Sequence, residues 1–366
     1  MKTIAILTAP LLALAAAAPV RAAPAPAPTP AALAVVPFAG TPQLEAMARR
    51  VAGGKITTRQ KLEAIVQLIF DRRHGLGFEY QSHPTLTAAE AAERRRGNCL
   101  SLVNLFVAMS RGVGIHTYFV EVEDFETFER RGDTVVRSTH VVGGVDFGNE
   151  LRTVDFVPDR PKVYRRLRVL TDQEATAHYF NAIGAEALLA GEISRAEPLL
   201  RRALELEPEL AEGWNNLGLA ARRAGRLPEA IADLEQALAV EPDFVPALEN
   251  LSRIYRLAGD GPRAEAAAAR SLELKTRNPY YLLTRAVDSL REGRLDEAEE
   301  LARRARRLDK RIPEVHIVLG RLALARGDER AAGQSFERAR SLSADFSETY
   351  RHRLQTKIDR LLAPAL

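Results

Sequence analysis

The chain has 366 residues, 46% of them hydrophobic and 27% charged, which is enough for ordinary globular cores and for about two domains. Its 52 Lys and Arg against 48 Asp and Glu leave a formal charge of only +4, so nothing in the electrostatics calls for a nucleic-acid partner.

The first residues address the chain for export. Lys2 precedes the uncharged run TIAILTAPLLALAAAA, and Val20-Arg21-Ala22 ends on a small residue suited to cleavage. Residues 1–22 are expected to be a secretory signal peptide, since the run is short for a membrane span. No cysteine lies near the cut, so no lipid anchor is expected there, and the mature protein is expected in the periplasm or secreted. Residues 23–40, beginning APAPAPTPAALAVVP, read as an extended Ala/Pro-rich linker. The chain has one cysteine, Cys99, so an exported product can form no internal disulfide.

Residues 41–170 form the next unit. TTRQKLEAIVQLIFDRRHG carries Leu62, Ile65, Val66, Leu68 and Ile69 at helical spacing, with Thr57-Thr58 as its start. TLTAAEAAERRRG is a shorter helix, whose Arg94, Arg95 and Arg96 read as a solvated face. GNCLSLVNLFVAMSRGVGI follows, with Leu102, Leu105, Phe106 and Met109 on one helical face and Gly112 and Gly114 as its stop. Cys99 therefore falls in the first turn of a helix, where the dipole and the leading N–H groups favour a thiolate. The period then changes to two. HTYFVEVE (116–123) reads as a strand, and 135–147 with 150–158 as a hairpin around Gly148-Asn149, which places His140 in its first arm and Asp155 in its second. Taken singly, each of the three has a bland reading: a buried thiol, a satisfied core histidine, a turn aspartate.

Together, GNC, a helix ending in RGVGI, a following strand, and His140 and Asp155 15 residues apart resemble the transglutaminase-like superfamily, over about Lys61 to Val157. The resemblance implies an α+β papain-like fold, a helix packed on an antiparallel sheet. It carries over Cys99 as nucleophile, His140 as base and acid, and Asp155 as the group that orients His140. Val142 departs from the pattern, standing where many members hold an aromatic residue. The chemistry needs these residue types: a thiol is little ionised at neutral pH, an imidazole beside it raises the thiolate fraction, and a carboxylate fixes the imidazole tautomer. The Cys99 backbone N–H is the expected oxyanion donor. His83 and His116 are the rival histidines of this unit. No zinc-ligand spacing, phosphate loop or GxSxG occurs, so no metal and no cofactor are expected.

From Ala177 to Phe346 the sequence repeats. Gly191, Gly225, Gly259, Gly293 and Gly327 recur every 34 residues, as do Ala196, Ala230, Ala264, Ala298 and Ala332. Two further series of small residues share the period, one from Ala203 to Ala339 and one from Gly184 to Gly320. AEGWNNLGLAARRAGRLPEAIADLEQALAVEP resembles the tetratricopeptide repeat, through Trp214, Leu217, Gly218, Ala230, Leu234, Ala237 and Pro242. The resemblance implies an all-α solenoid of five helical pairs over 177–346, with residues 347–366 as a capping helix. Asn216, Asn250 and Arg253 are expected to line its groove and to bind a protein or peptide.

The expected whole is a multidomain chain, a papain-like domain followed by a solenoid. Its function is read as a thiol amidase or protease acting on a peptide or isopeptide bond, with the repeats docking substrate. A catalytically silent solenoid adaptor and a transamidase remain open alternatives.

Overall fold

A computed structural model describes residues 26–131, 134–148, 150–156 and 166–344. The expected signal peptide, residues 1–22, and the expected capping helix, residues 347–366, lie outside the described residues.

The first unit opens with three helices, α1 (Pro30–Leu33), α2 (Pro42–Ala52) and α3 (Thr58–Phe70). Each begins where a threonine, Thr29, Thr41 or Thr57, accepts a backbone N–H of the first turn. Thr57 and Gln60 close a reciprocal capping box. Strand β1 (Glu79–Tyr80), helix α4 (Ala88–Arg94) and strand β2 (Arg96–Gly97) follow, the two short strands pairing in parallel. Helix α5 (Cys99–Arg111) is buried at every position from Leu100 to Ser110. Strands β3 (Thr117–Arg131), β4 (Thr134–Asp146), β5 (Leu151–Val154) and β6 (Leu167–Leu170) form an antiparallel sheet in the order β5-β4-β3-β6. Helix α5 lies directly on this sheet because Gly143 has no side chain. A Cβ there would stand 2.8 Å from the Phe106 ring. Phe106, Met109, Leu102 and Leu105 are wholly buried, each contributing about 1.5–3 kcal/mol of burial free energy.

Ten helices complete the chain as described: α6 (Asp172–Leu189), α7 (Ile193–Leu206), α8 (Ala211–Arg223), α9 (Leu227–Val240), α10 (Val245–Leu257), α11 (Gly261–Lys275), α12 (Pro279–Arg291), α13 (Leu295–Leu308), α14 (Pro313–Ala325) and α15 (Glu329–Leu342). They form five successive pairs; the first three pack on one another, as do the last two, and separate apolar clusters lie on either side of the step from α11 to α12. The alanine series from Ala196 to Ala332 is buried throughout, so the small residues sit where the helices meet. At Gly218 a Cβ would come within 2.9 Å of Leu234 and 3.0 Å of the Ala230 carbonyl, which explains that series of small residues too. The turn inside the second pair holds Gly225 at φ +80°, and its four equivalents lie between +76° and +81°.

Three boundaries differ from expectation. Part of the stretch read as an extended linker is built into the domain. Phe38 is buried against Phe119, ring centroids 4.9 Å apart, and the Arg202 guanidinium donates to the Leu33 carbonyl. Strand β3 runs on to Arg131 and pairs with β4 beyond a bulge after Val122, making a long hairpin where only a short strand was expected. The stretch between the two halves contains β6, which pairs with β3, and α6 starts at Asp172 under the cap of Thr171. The two halves accordingly share one hydrophobic core, continuous from Phe38 through Phe106 to Leu219 and Ala220 of α8.

The turn glycine gives a clean stability test. Gly225 and Gly261 both have open space where a Cβ would go, but only Gly225 has a positive φ. Gly225→Ala should lower unfolding stability by about 1–2 kcal/mol in urea titration, and Gly261→Ala should not lower it.

Candidate active site

The site is built around the start of α5. Gly97 approaches the helix so closely that a Cβ would meet the Ser101 Cβ at 2.6 Å. Asn98 is the N-cap: its Oδ1 accepts the Ser101 backbone N–H at 3.0 Å. Cys99 is the first helical residue and half-buried. The neighbouring loop closes over this turn. Leu86 N donates to Ser101 Oγ at 2.8 Å, and Asn104 Nδ2 donates to the Leu86 carbonyl at 3.1 Å.

The sheet supplies the other two groups. His140, on β4 opposite Val122, is 2% exposed. Its Nε2 lies 3.1 Å from Asp155 Oδ1, and the carboxylate side chain is itself only 7% exposed. Cys99 lies near enough to act on the His140 ring, and its interaction with the imidazole favours the protonated form. With Nε2 given to Asp155, Nδ1 is the ring nitrogen left for the thiol. Asp155 follows β5 directly and is held by its neighbour. Phe156 packs on Phe106 and Phe70, with centroid distances of 5.2 and 5.7 Å. The structure thus brings Cys99, His140 and Asp155 into one constellation, with Cys99 half-buried and the other two side chains sealed. His83 and His116 are exposed. Val142 is buried with Val120 and Val122 in a small cluster of its own.

Burial of His140 acts to lower its pKa, but the hydrogen bond to Asp155, the interaction with Cys99 and the negative charge beside it outweigh that, and the imidazole is raised above its ordinary 6.5. The protonated ring is therefore the form the fold favours. The stability it contributes is fully present below pH 6.5 and is lost as the pH rises through the raised value.

The groove residues fall differently. Asn216 and Asn250 are 4% and 2% exposed and belong to an internal asparagine ladder. Asn216 Nδ2 donates to Asn181 Oδ1 at 2.9 Å, Asn215 Nδ2 to Asn216 Oδ1 at 3.3 Å, and Asn250 Nδ2 to Asn215 Oδ1 at 2.9 Å. They bind one another across helices α6, α8 and α10 and do not line an open groove, because buried amides must be paired internally. β4 packs against α10, so the first domain lies on this part of the array. Arg253 is half-buried, whereas Thr284, the position of α12 equivalent to Asn216 and Asn250, is exposed.

Among the described residues no group of three or more His, Cys, Asp or Glu is placed to hold a metal ion, and no helix is long and apolar enough to cross a membrane. The sequence reading missed Thr85, Ser101 and Glu186, which support the Cys99 turn. It also did not assign the cap to Asn98, although an asparagine before an apolar run is a local signal for one; Glu186, 101 residues from Thr85, left none.

Residues 45–148 match the transglutaminase-like superfamily, and residues 211–244 and 283–345 match the tetratricopeptide repeat. No curated protein matches the chain. Solved structures similar to it include MamA protein, 17% identical over 52% of this chain and 97% of that one, with a TM-score of 0.26. Pseudomonas aeruginosa pilF is 16% identical over 53% and 96%, with a TM-score of 0.28. YrrB, described as a TPR protein with an unusual peptide-binding site, is 17% identical over 49% and 92%, with a TM-score of 0.26. Scores of this size carry no argument about function.

The electrostatics of His140 can be measured directly. By NMR its ring should titrate above 6.5, and Asp155→Asn should lower that value, since two of the raising influences come from Asp155. A ring titrating below 6.5 in the unaltered protein would contradict the geometry.

Proposed function

We propose, from the premise that the chain carries a transglutaminase-like domain followed by tetratricopeptide repeats, that it is an exported cysteine hydrolase of peptide or isopeptide-type amides. Cys99 is the nucleophile, His140 the base and acid, and Asp155 the orienting group. The observation that supports this most is His140 held between the Asp155 carboxylate and the Cys99 thiol at the start of a buried helix.

The steps follow from these atoms. His140 holds the thiol proton as the imidazolium of an ion pair with Cys99, and the thiolate attacks the amide carbonyl carbon. The oxyanion forms beside the helix start, where the Cys99 backbone N–H is the proposed donor. The imidazolium gives its proton to the leaving nitrogen as the C–N bond breaks, leaving a thioester on Cys99. Water then attacks the thioester, His140 takes its proton, and the thiolate departs with that proton returned to the pair. An amine in place of water would give transamidation by the same bond changes. Hydrolysis is favoured because, among the described residues, no feature of the site marks a place for an acceptor amine.

The repeats are proposed to hold a protein or peptide partner. With Asn216 and Asn250 buried, the docking surface begins further along the array, at α12, where Thr284 and Arg285 are exposed. Docking there raises the local concentration of substrate near Cys99.

The test is ammonia or amine release from glutamine-containing and isopeptide-linked proteins, with and without an added primary amine. Release should be lost by about a thousandfold or more in Cys99→Ser and in His140→Ala. Because His140 is raised, activity should persist through neutral pH and decline on the alkaline side as the imidazolium is lost. Release that survives Cys99→Ser would exclude the proposal, and covalent incorporation of the added amine into the acyl product, accompanying the same release, would assign transamidation.

A further inference from the structure

Helix α6, the first of the repeats, reaches the Cys99 turn through an unbroken chain of side-chain hydrogen bonds. Glu186 Oε1 accepts both the Thr85 backbone N–H and the Thr85 hydroxyl, at 2.8 and 2.7 Å. Asn98 Nδ2 donates to Thr85 Oγ1 at 2.6 Å. Asn98 Oδ1 accepts the Ser101 backbone N–H at 3.0 Å and the Ser101 hydroxyl at 2.8 Å. Ser101 Oγ in turn accepts the Leu86 N–H. Thr85 is 4% exposed and Ser101 wholly buried, so water does not substitute for these partners.

The Thr85 and Asn98 protons in this chain have one direction, while the Ser101 hydroxyl has a second acceptor in the Pro84 carbonyl at 3.3 Å. Thr85 has a single hydroxyl proton, and Glu186 takes it, so the threonine oxygen can meet Asn98 only as an acceptor. The Asn98 amide must then turn its NH2 toward Thr85 and its oxygen toward Ser101, which is the orientation that caps α5. Without the carboxylate, the Thr85 hydroxyl can turn its proton to Asn98, the amide can reverse, and the cap is lost. The residue that follows Asn98 is Cys99.

We propose that Glu186 is a positioning residue for Cys99, acting through Thr85 and Asn98 to fix the first turn of α5. It rests on the reading of Cys99 as nucleophile for its chemical consequence, but not for its structural one. It also makes the repeats part of the site: the domain of residues 45–148 does not contain the anchor of its own nucleophile turn. The far end of α5 is tied to the same helix by a different contact, Arg111 to Asp172 at 2.7 and 2.9 Å, which provides the control.

The experiment uses the full chain and two readouts, amide hydrogen exchange over residues 98–102 and the rate of Cys99 alkylation by iodoacetamide as a function of pH. Glu186→Ala and Thr85→Val should each speed exchange in that segment by about tenfold, the loss expected for a buried hydrogen bond to a charged group. Glu186→Ala should also slow alkylation at pH 7 by about tenfold and flatten its pH profile. Glu186→Gln keeps an acceptor oxygen and should match the unaltered protein in both readouts, which also guards against simple misfolding. Asp172→Ala should leave exchange over 98–102 unchanged. Glu186→Ala exchanging like the unaltered protein, Glu186→Gln failing to restore it, or Asp172→Ala reproducing its effect would each overturn the proposal. If His140→Ala leaves alkylation unchanged, the nucleophile reading falls, while the exchange readout still decides the role of Glu186.

Discussion

A helix buried at its first turn cannot hand its leading N–H groups to water, and α5 is such a helix. The protein meets this constraint with Asn98, and most of what surrounds the site follows from keeping that amide in place. Gly97 is needed so that the chain can pass against Ser101. The loop from Pro84 to Leu86 is fastened to Ser101 and Asn104, and Thr85 sets which way the cap faces. The same buried turn is where a thiol gains most from a helix terminus and from an imidazole partner.

The second consequence is that the two halves are not separable pieces on a string. The α/β unit and the first repeats share a single apolar core, and polar ties run from both ends of α5 to α6. Helix α6 is therefore both the first element of the array and a wall of the first domain. β4 extends the contact to α10, and the ladder of Asn181, Asn216, Asn215 and Asn250 links α6, α8 and α10 through its own amides. An array docked in this way has its early repeats committed to intramolecular packing, and the proposed docking surface therefore begins at α12.

The parts of this that the sequence made legible are those with a local period or a short-range motif. The 34-residue series of glycines and alanines marks the helix pairs, because close helix contact demands small side chains at fixed intervals. The helix carrying Cys99 was readable from its apolar spacing and the strand bearing His140 from its alternation, whereas Asp155, expected within the second arm of the hairpin, lies just beyond β5. What escaped depended on pairing over distance. β6 is only four residues, Leu167–Leu170, and becomes a strand by pairing with β3. Phe38 sits in a run of alanines and prolines that looks coreless until Phe119 is folded against it. Asn216 and Asn250 have the composition of a binding groove, and only the packing of helices and sheet shows them to be interior. Glu186 is one charged residue among many on an amphipathic helix, and its partner is a threonine on a distant loop.

The central claim is that Cys99 forms the covalent bond. It is tested most directly by stopping the reaction half-way, with an activated acyl ester and mass spectrometry of the intact and digested protein. The account predicts one acyl group, on Cys99, released by hydroxylamine as a thioester is, and absent when His140 is replaced by alanine. An acyl group on any other residue, or none on a folded chain whose Cys99 is intact, would contradict it.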